Sequence, residues 1–120
     1  MGDCDAVIEY IDNNDVNGGI NDYGATPLYI ASQNGKADVV RMLLGAGADV
    51  NQSRTDRTTP LWIASQKGKA DVVRLLLDTG ADVNQARRKD GVTPLCIASQ
   101  NGKADVVRML LDTGADVNLS

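Results

Sequence analysis

The chain has 120 residues, with 12 Lys plus Arg against 16 Asp plus Glu and a formal net charge of -4. That length suits one domain, and the mild acidic balance argues against bulk attraction to nucleic acid or to anionic lipid. The sequence contains no His, which excludes Ser-His-Asp and Cys-His catalytic arrangements, and its two cysteines, Cys4 and Cys96, form no zinc-ligand spacing.

The opening residues, Met1 to Asp5, are acidic and lack the charged and apolar regions of a signal peptide. No apolar run approaches the ~20 residues that a membrane span needs. The expected location is cytoplasmic or nuclear, with both cysteines as free thiols in a reducing compartment. With no Phe, one Trp and three Tyr, the core must be aliphatic. Of the 16 acids only Glu9 is not Asp; Asp suits turns and helix first turns, so many short elements are expected.

In chain order, the first element expected is a lone helix. Asp5, Val7, Ile11 and Asn17 align with Asp38, Val40, Leu44 and Asn51 further on, with one residue deleted. From Thr26 the chain repeats itself, and that self-similarity is its main signal. Thr-Pro-Leu begins at Thr26, Thr59 and Thr93, a period of 33 and then 34 residues. Gly-Lys-Ala-Asp-Val-Val-Arg begins at Gly35, Gly68 and Gly102, and Gly-Ala-Asp-Val-Asn at Gly47, Gly80 and Gly114.

Each unit reads as a helix pair. Thr26 is a good N-cap and Pro27 fits the first helical position, where no N–H is needed. A short helix runs through Leu28, Ile30, Ala31 and Ser32 to about Asn34, and Gly35 ends it with a positive φ. A second helix follows, with Asp38 at its positive end. Val39, Val40, Leu43 and Leu44 form its apolar face, and Gly47 terminates it. Asp49, Val50 and Asn51 lead into a polar loop that returns to the next Thr. Ala31, Ala64 and Ala98 are small where neighbouring helices meet. Neither helix buries its apolar side alone; stacking the pairs along the chain does so and produces a solenoid. The expected units are one half repeat over about 1–17 and full repeats over 18–51, 52–84 and 85–118.

The period, Thr-Pro-Leu-x-x-Ala and Gly-Ala-Asp-Val-Asn together resemble the ankyrin repeat, from about Cys4 to Asn118. The resemblance implies an all-α solenoid of antiparallel helix pairs in a single domain, with β-hairpin-like loops projecting at right angles. It also implies protein binding through the loop tips and the concave face of the first helices. Two departures stand out. Tyr29, Trp62 and Cys96 occupy the position where the family usually carries a His, and Lys36, Lys69 and Lys103 replace a second common His. The turn pair Asp90-Gly91 becomes Asp56-Arg57 in the middle unit. If that turn requires positive φ, Arg57 costs stability relative to Gly.

The loops carry the candidate binding residues. The second hairpin holds Arg54, Asp56 and Arg57, and the third, one residue longer, holds Arg87, Arg88, Lys89 and Asp90. Together they carry an excess of cations on an acidic chain, whereas the first hairpin holds Asp15, Asp22 and Tyr23. Such tips either serve solubility alone or steer an acidic partner surface. Gln66-Lys67 and Gln100-Asn101 end the first helices and, by the resemblance, face the groove. Trp62 is either an aromatic anchor, as binding hot spots favour, or a ring packed over the inter-helix seam, and packing is the preferred reading.

The expected function is a protein-interaction module without catalysis, cofactor or metal, whose partner is a protein with an acidic surface and not nucleic acid or membrane. The alternative is an engineered or excised repeat scaffold with no dedicated partner: the near-identity of the repeats favours consensus-like design or recent duplication, and the dissimilar hairpins favour a natural history. The last unit keeps Val106, Val107, Leu110 and Leu111 where a solenoid usually places a polar cap. A monomer is expected, with weak self-association through that flank as its alternative.

Overall fold

The computed structural model describes residues 24–118. The half repeat expected over 1–17, the first hairpin and Tyr23 lie outside these residues. Six α-helices follow one another: α1 Pro27–Gln33, α2 Ala37–Gly45, α3 Pro60–Lys67, α4 Ala70–Asp78, α5 Pro94–Gln100 and α6 Ala104–Asp112. No strand occurs among the described residues.

Helices of seven to nine residues are marginal in water, so each end must be well made. The odd-numbered helices start alike. The hydroxyls of Thr26, Thr59 and Thr93 accept the backbone N–H of Tyr29, Trp62 and Cys96 at 3.1, 3.1 and 3.2 Å, and Pro follows each cap. The even-numbered helices carry Asp38, Asp71 and Asp105 in their first turns, against the positive end of the helix dipole. They end in a left-handed glycine; in α4, Ala81 N–H reaches back to the Leu76 carbonyl at 3.1 Å across Gly80, at φ 97°.

Among the described residues, packing runs chiefly between neighbours. Each odd helix packs on the even helix after it and on the next odd helix, and the even helices also touch in sequence. The odd helices approach more closely because fully buried Ala31, Ala64 and Ala98 lie between them. The main core is aliphatic, as composition required: Leu28, Val40, Leu43, Leu61, Val73, Leu76, Leu95 and Leu110 form one continuous cluster. A smaller cluster of Ala25, Tyr29, Trp62, Ile63 and Ile97 sits where the odd helices meet the loops.

Two defects recur with the repeat. Ser32 and Ser65 are fully buried, and their hydroxyls have no hydrogen-bond partner. Their counterpart Ser99 is exposed, because no unit among the described residues covers it. A buried, unsatisfied hydroxyl costs about 1 kcal/mol or more, and Ala is the better helix former. Ser65→Ala should therefore raise the melting temperature by several degrees, while Ser99→Ala leaves it almost unchanged. Parallel thermal melts followed by circular dichroism check this, and equal responses at the two sites would contradict the burial argument.

Candidate protein-binding hairpins

The loop between α2 and α3 folds back on itself. Arg54 N–H donates to the Thr58 carbonyl at 2.9 Å, and Arg57 N–H donates to the Arg54 carbonyl at 2.9 Å. With Arg57 at φ 70°, this is a three-residue hairpin loop whose last position must be left-handed. In the loop between α4 and α5 the same closure runs from Arg87 N–H to the Val92 carbonyl at 2.9 Å. There Gly91 N–H returns one residue further, to Arg87, and Gly91 has φ 71°. The extra residue of the third hairpin therefore sits in its turn. Arg88 N–H donates to the Asp56 carbonyl at 2.8 Å and ties the two tips together.

Gly24, Arg57 and Gly91 occupy one structural position, at φ 74°, 70° and 71°. Arg57 is the only non-glycine residue with positive φ among the described residues, as the turn argument expected. An L side chain there costs about 1 kcal/mol relative to Gly. Arg57→Gly should raise the melting temperature by about 4 °C in a calorimetric scan.

Inside the hairpins the charges are spoken for. Arg54 pairs with Asp56 at 3.0 Å and lies over the Tyr29 ring, 5.2 Å from its centroid. Arg87 pairs with Asp90 at 2.6 Å and lies over the Trp62 ring at 4.8 Å. Each ring also bonds to the next hairpin: Tyr29 Oη with Thr58 Oγ1 at 3.2 Å, and Trp62 Nε1–H to the Val92 carbonyl at 2.9 Å. Thr58 and Val92 are register equivalents, so the aromatic residues do the bridging work in both units. Burial raises the Tyr29 phenol above its ordinary range, against the lowering effects of the Thr58 bond and Arg54. Burial also raises Asp56, but hydrogen bonds from the Thr58 hydroxyl and backbone, together with Arg54, outweigh it and hold the carboxyl below its usual range. Asp90 is lowered chiefly by its bond from Arg87.

The sequence candidates separate accordingly. Trp62 is 2 % exposed, so its ring packs over the seam and offers no face to a partner, in line with the preferred reading. Arg54 and Arg87 hold the hairpins in shape, and Asp56 and Asp90 serve them. Arg57, Arg88 and Lys89 remain exposed, and none of their side chains has an ion pair with another described residue. Gln66 is half-buried; Lys67, Gln100 and Asn101 are exposed. Asn101 Nδ2 donates to the Gln66 carbonyl at 3.1 Å, which spends part of that amide on linking two units. These four residues lie at the far ends of α3 and α5, about 10 Å of helix away from the hairpin ends. The structure does not join them to the hairpin tips.

Sequence reasoning missed two devices. One is the Arg-over-ring clamp, whose signal was an Arg three residues after Asn51 and after Asn84, each 25 residues beyond an aromatic residue, Tyr29 and Trp62. The other is the Asn at the end of Gly-Ala-Asp-Val-Asn. Asn51 Oδ1 accepts Asp82 N–H at 2.8 Å, and Asn84 Oδ1 accepts Asp116 N–H at 2.9 Å, so each Asn splices its unit to the next.

No group of three His, Cys, Asp or Glu residues is placed to hold a metal among the described residues. No described helix is long and apolar enough to cross a membrane.

Stacked helix pairs with capped Thr-Pro starts, left-handed glycine ends and tied hairpins define a repeat solenoid. The family model described as Ankyrin repeats (3 copies) matches residues 47–120, and that described as Ankyrin repeat matches residues 23–55. The chain belongs to the ankyrin repeat family. Ankyrin repeats are generally protein-interaction modules, typically without enzymatic activity. No curated protein is similar enough to the chain to stand as a relative.

Proposed function

We propose that the chain is a protein-binding module that engages a protein with an acidic surface through its second and third hairpins. The observation that carries this reading is the division of labour among the loop cations. Two arginines are pinned by carboxylates and rings, and three cations that have no ion pair among the described residues stand on adjoining tips that a backbone hydrogen bond holds together. A rigid base lowers the ordering cost of binding, and unpaired surface cations steer an acidic partner. The exposed helix-end residues Lys67, Gln100 and Asn101 form a second, separate contact region on the concave side.

The test is affinity capture from cell extract, read by mass spectrometry. The baits are the wild-type chain and a triple variant, Arg57→Glu, Arg88→Glu, Lys89→Glu, which leaves both clamps intact. A protein held by the first and lost by the second supports the reading. If neither bait retains a specific protein, the scaffold reading without a dedicated partner takes its place, favoured by the near-identity of the units.

The proposed state is a monomer. The exposed flank of α5 and α6, where Leu111 is 43 % and Val117 66 % exposed around a hollow of about 440 Å3, supports weak self-association as the alternative. A sedimentation mass that rises with concentration would replace the monomer by that alternative.

A further inference from the structure

We propose that the occupant of the hairpin tips is an acidic, extended segment of polypeptide, and that Arg57 is the residue that selects it. This rests on the hairpins being the binding surface and names what they bind.

Arg57 is a poor choice for folding. Its register equivalents are Gly24 and Gly91, and all three share the same left-handed backbone. The side chain gives nothing back to the fold: it is exposed, and among the described residues its guanidinium takes part in no hydrogen bond, ion pair or ring contact. Its backbone does the structural work, donating to the Arg54 carbonyl and accepting from Gln85 Nε2 at 3.3 Å, and Gly would do both. What Arg57 adds is a cation at a fixed point. The carboxylates of the second and third hairpins, Asp56 and Asp90, are already taken by Arg54 and Arg87. Arg57, Arg88 and Lys89 therefore present three positive charges that no described carboxylate pairs, on a chain whose net charge is -4.

The spacing fits an extended chain. The two tips adjoin, since Arg88 N–H donates at 2.8 Å to the carbonyl of Asp56, the residue before Arg57. An extended segment rises about 3.3 Å per residue and alternates its side chains, so carboxylates two positions apart share a face and lie about 7 Å from each other. Such a segment sets one carboxylate on each tip. Single-stranded nucleic acid fits less well, because bases need ring faces on which to stack. The two described rings beneath these loops, Tyr29 and Trp62, are buried and already covered by arginines.

The experiment measures fluorescence anisotropy of a labelled 12-residue peptide with Glu at every second position. Its Gln counterpart and a 12-nucleotide single-stranded DNA run beside it, all at low salt. The wild-type chain should bind the Glu peptide and not the Gln peptide. Arg57→Gly should weaken binding by up to about fivefold, the upper range for one exposed charge pair, while its melting temperature rises. Arg57→Lys keeps charge and backbone strain and should bind like wild type. The proposal is overturned if Arg57→Gly binds as well as wild type, if the Gln peptide binds equally, or if the DNA binds more tightly. A wild-type chain that binds neither peptide, yet captures a protein in a hairpin-dependent way, overturns the acidic segment and leaves the hairpin reading standing. Loss of hairpin-dependent capture as well would remove both.

Discussion

Trp62→Ala is expected to be the most damaging single change in the chain, lowering stability by about 3–5 kcal/mol. The side chain is the largest in the second cluster and is 2 % exposed. Its loss opens a cavity between α3, α5 and the third hairpin. It also removes the bond to the Val92 carbonyl and the ring beneath Arg87, so Arg87 keeps only Asp90 to hold it. Trp62→Tyr should cost far less. Tyr29 shows that a phenol at this position reaches the next hairpin and carries an arginine over its face. Urea titrations of both variants, followed by circular dichroism, test this. An alanine variant within 1 kcal/mol of wild type would mean that the hairpins hold without their rings.

The second large effect is expected at Leu76, which is fully buried in the middle unit, where the main core meets both neighbours. Leu76→Ala should cost about 2–5 kcal/mol, from lost transfer free energy plus the cavity left behind. In an array held by nearest-neighbour contacts, weakening the middle unit weakens both of its interfaces. Isolated helix pairs this short do not stand alone, so all the helicity should be lost in one transition at lower denaturant. A change at the exposed edge, Leu111→Ala, one residue beyond Leu110, the register equivalent of Leu76, removes a side chain already 43 % exposed and should shift the midpoint little. Equal losses at the two positions would show that the flank of α6 is covered in solution, which would favour the self-associated state over the monomer.

Much of the fold was legible because a repeat states its rules several times over. Thr before Pro marked three helix starts, and the glycines after the second helices marked three ends. Both are local choices, fixed by backbone geometry within four or five residues. Strand-like pairing was expected only as hairpin-like loops, and the two described hairpins prove to be closed by two backbone bonds each. The positive φ of Arg57 was legible by the same logic, since its register partners are glycines.

The site was legible only in outline. The sequence pointed to the hairpin loops, because their charge and length differ between the units. It could not divide Arg54 from Arg57 or Arg87 from Arg88, because composition treats all four alike. That division depends on where the previous unit puts its ring: Tyr29 lies 25 residues before Arg54, and Trp62 the same distance before Arg87. Whether Asn101 faces a partner or its neighbour depends in the same way on the Gln66 carbonyl of the unit before it. By itself, the sequence determined the helices, their ends, the aliphatic core and the turn geometry, because each follows from contacts within one unit. Only the tertiary structure decided which cations are clamped and which stand free, because that is settled between units, by a ring in one and an arginine in the next.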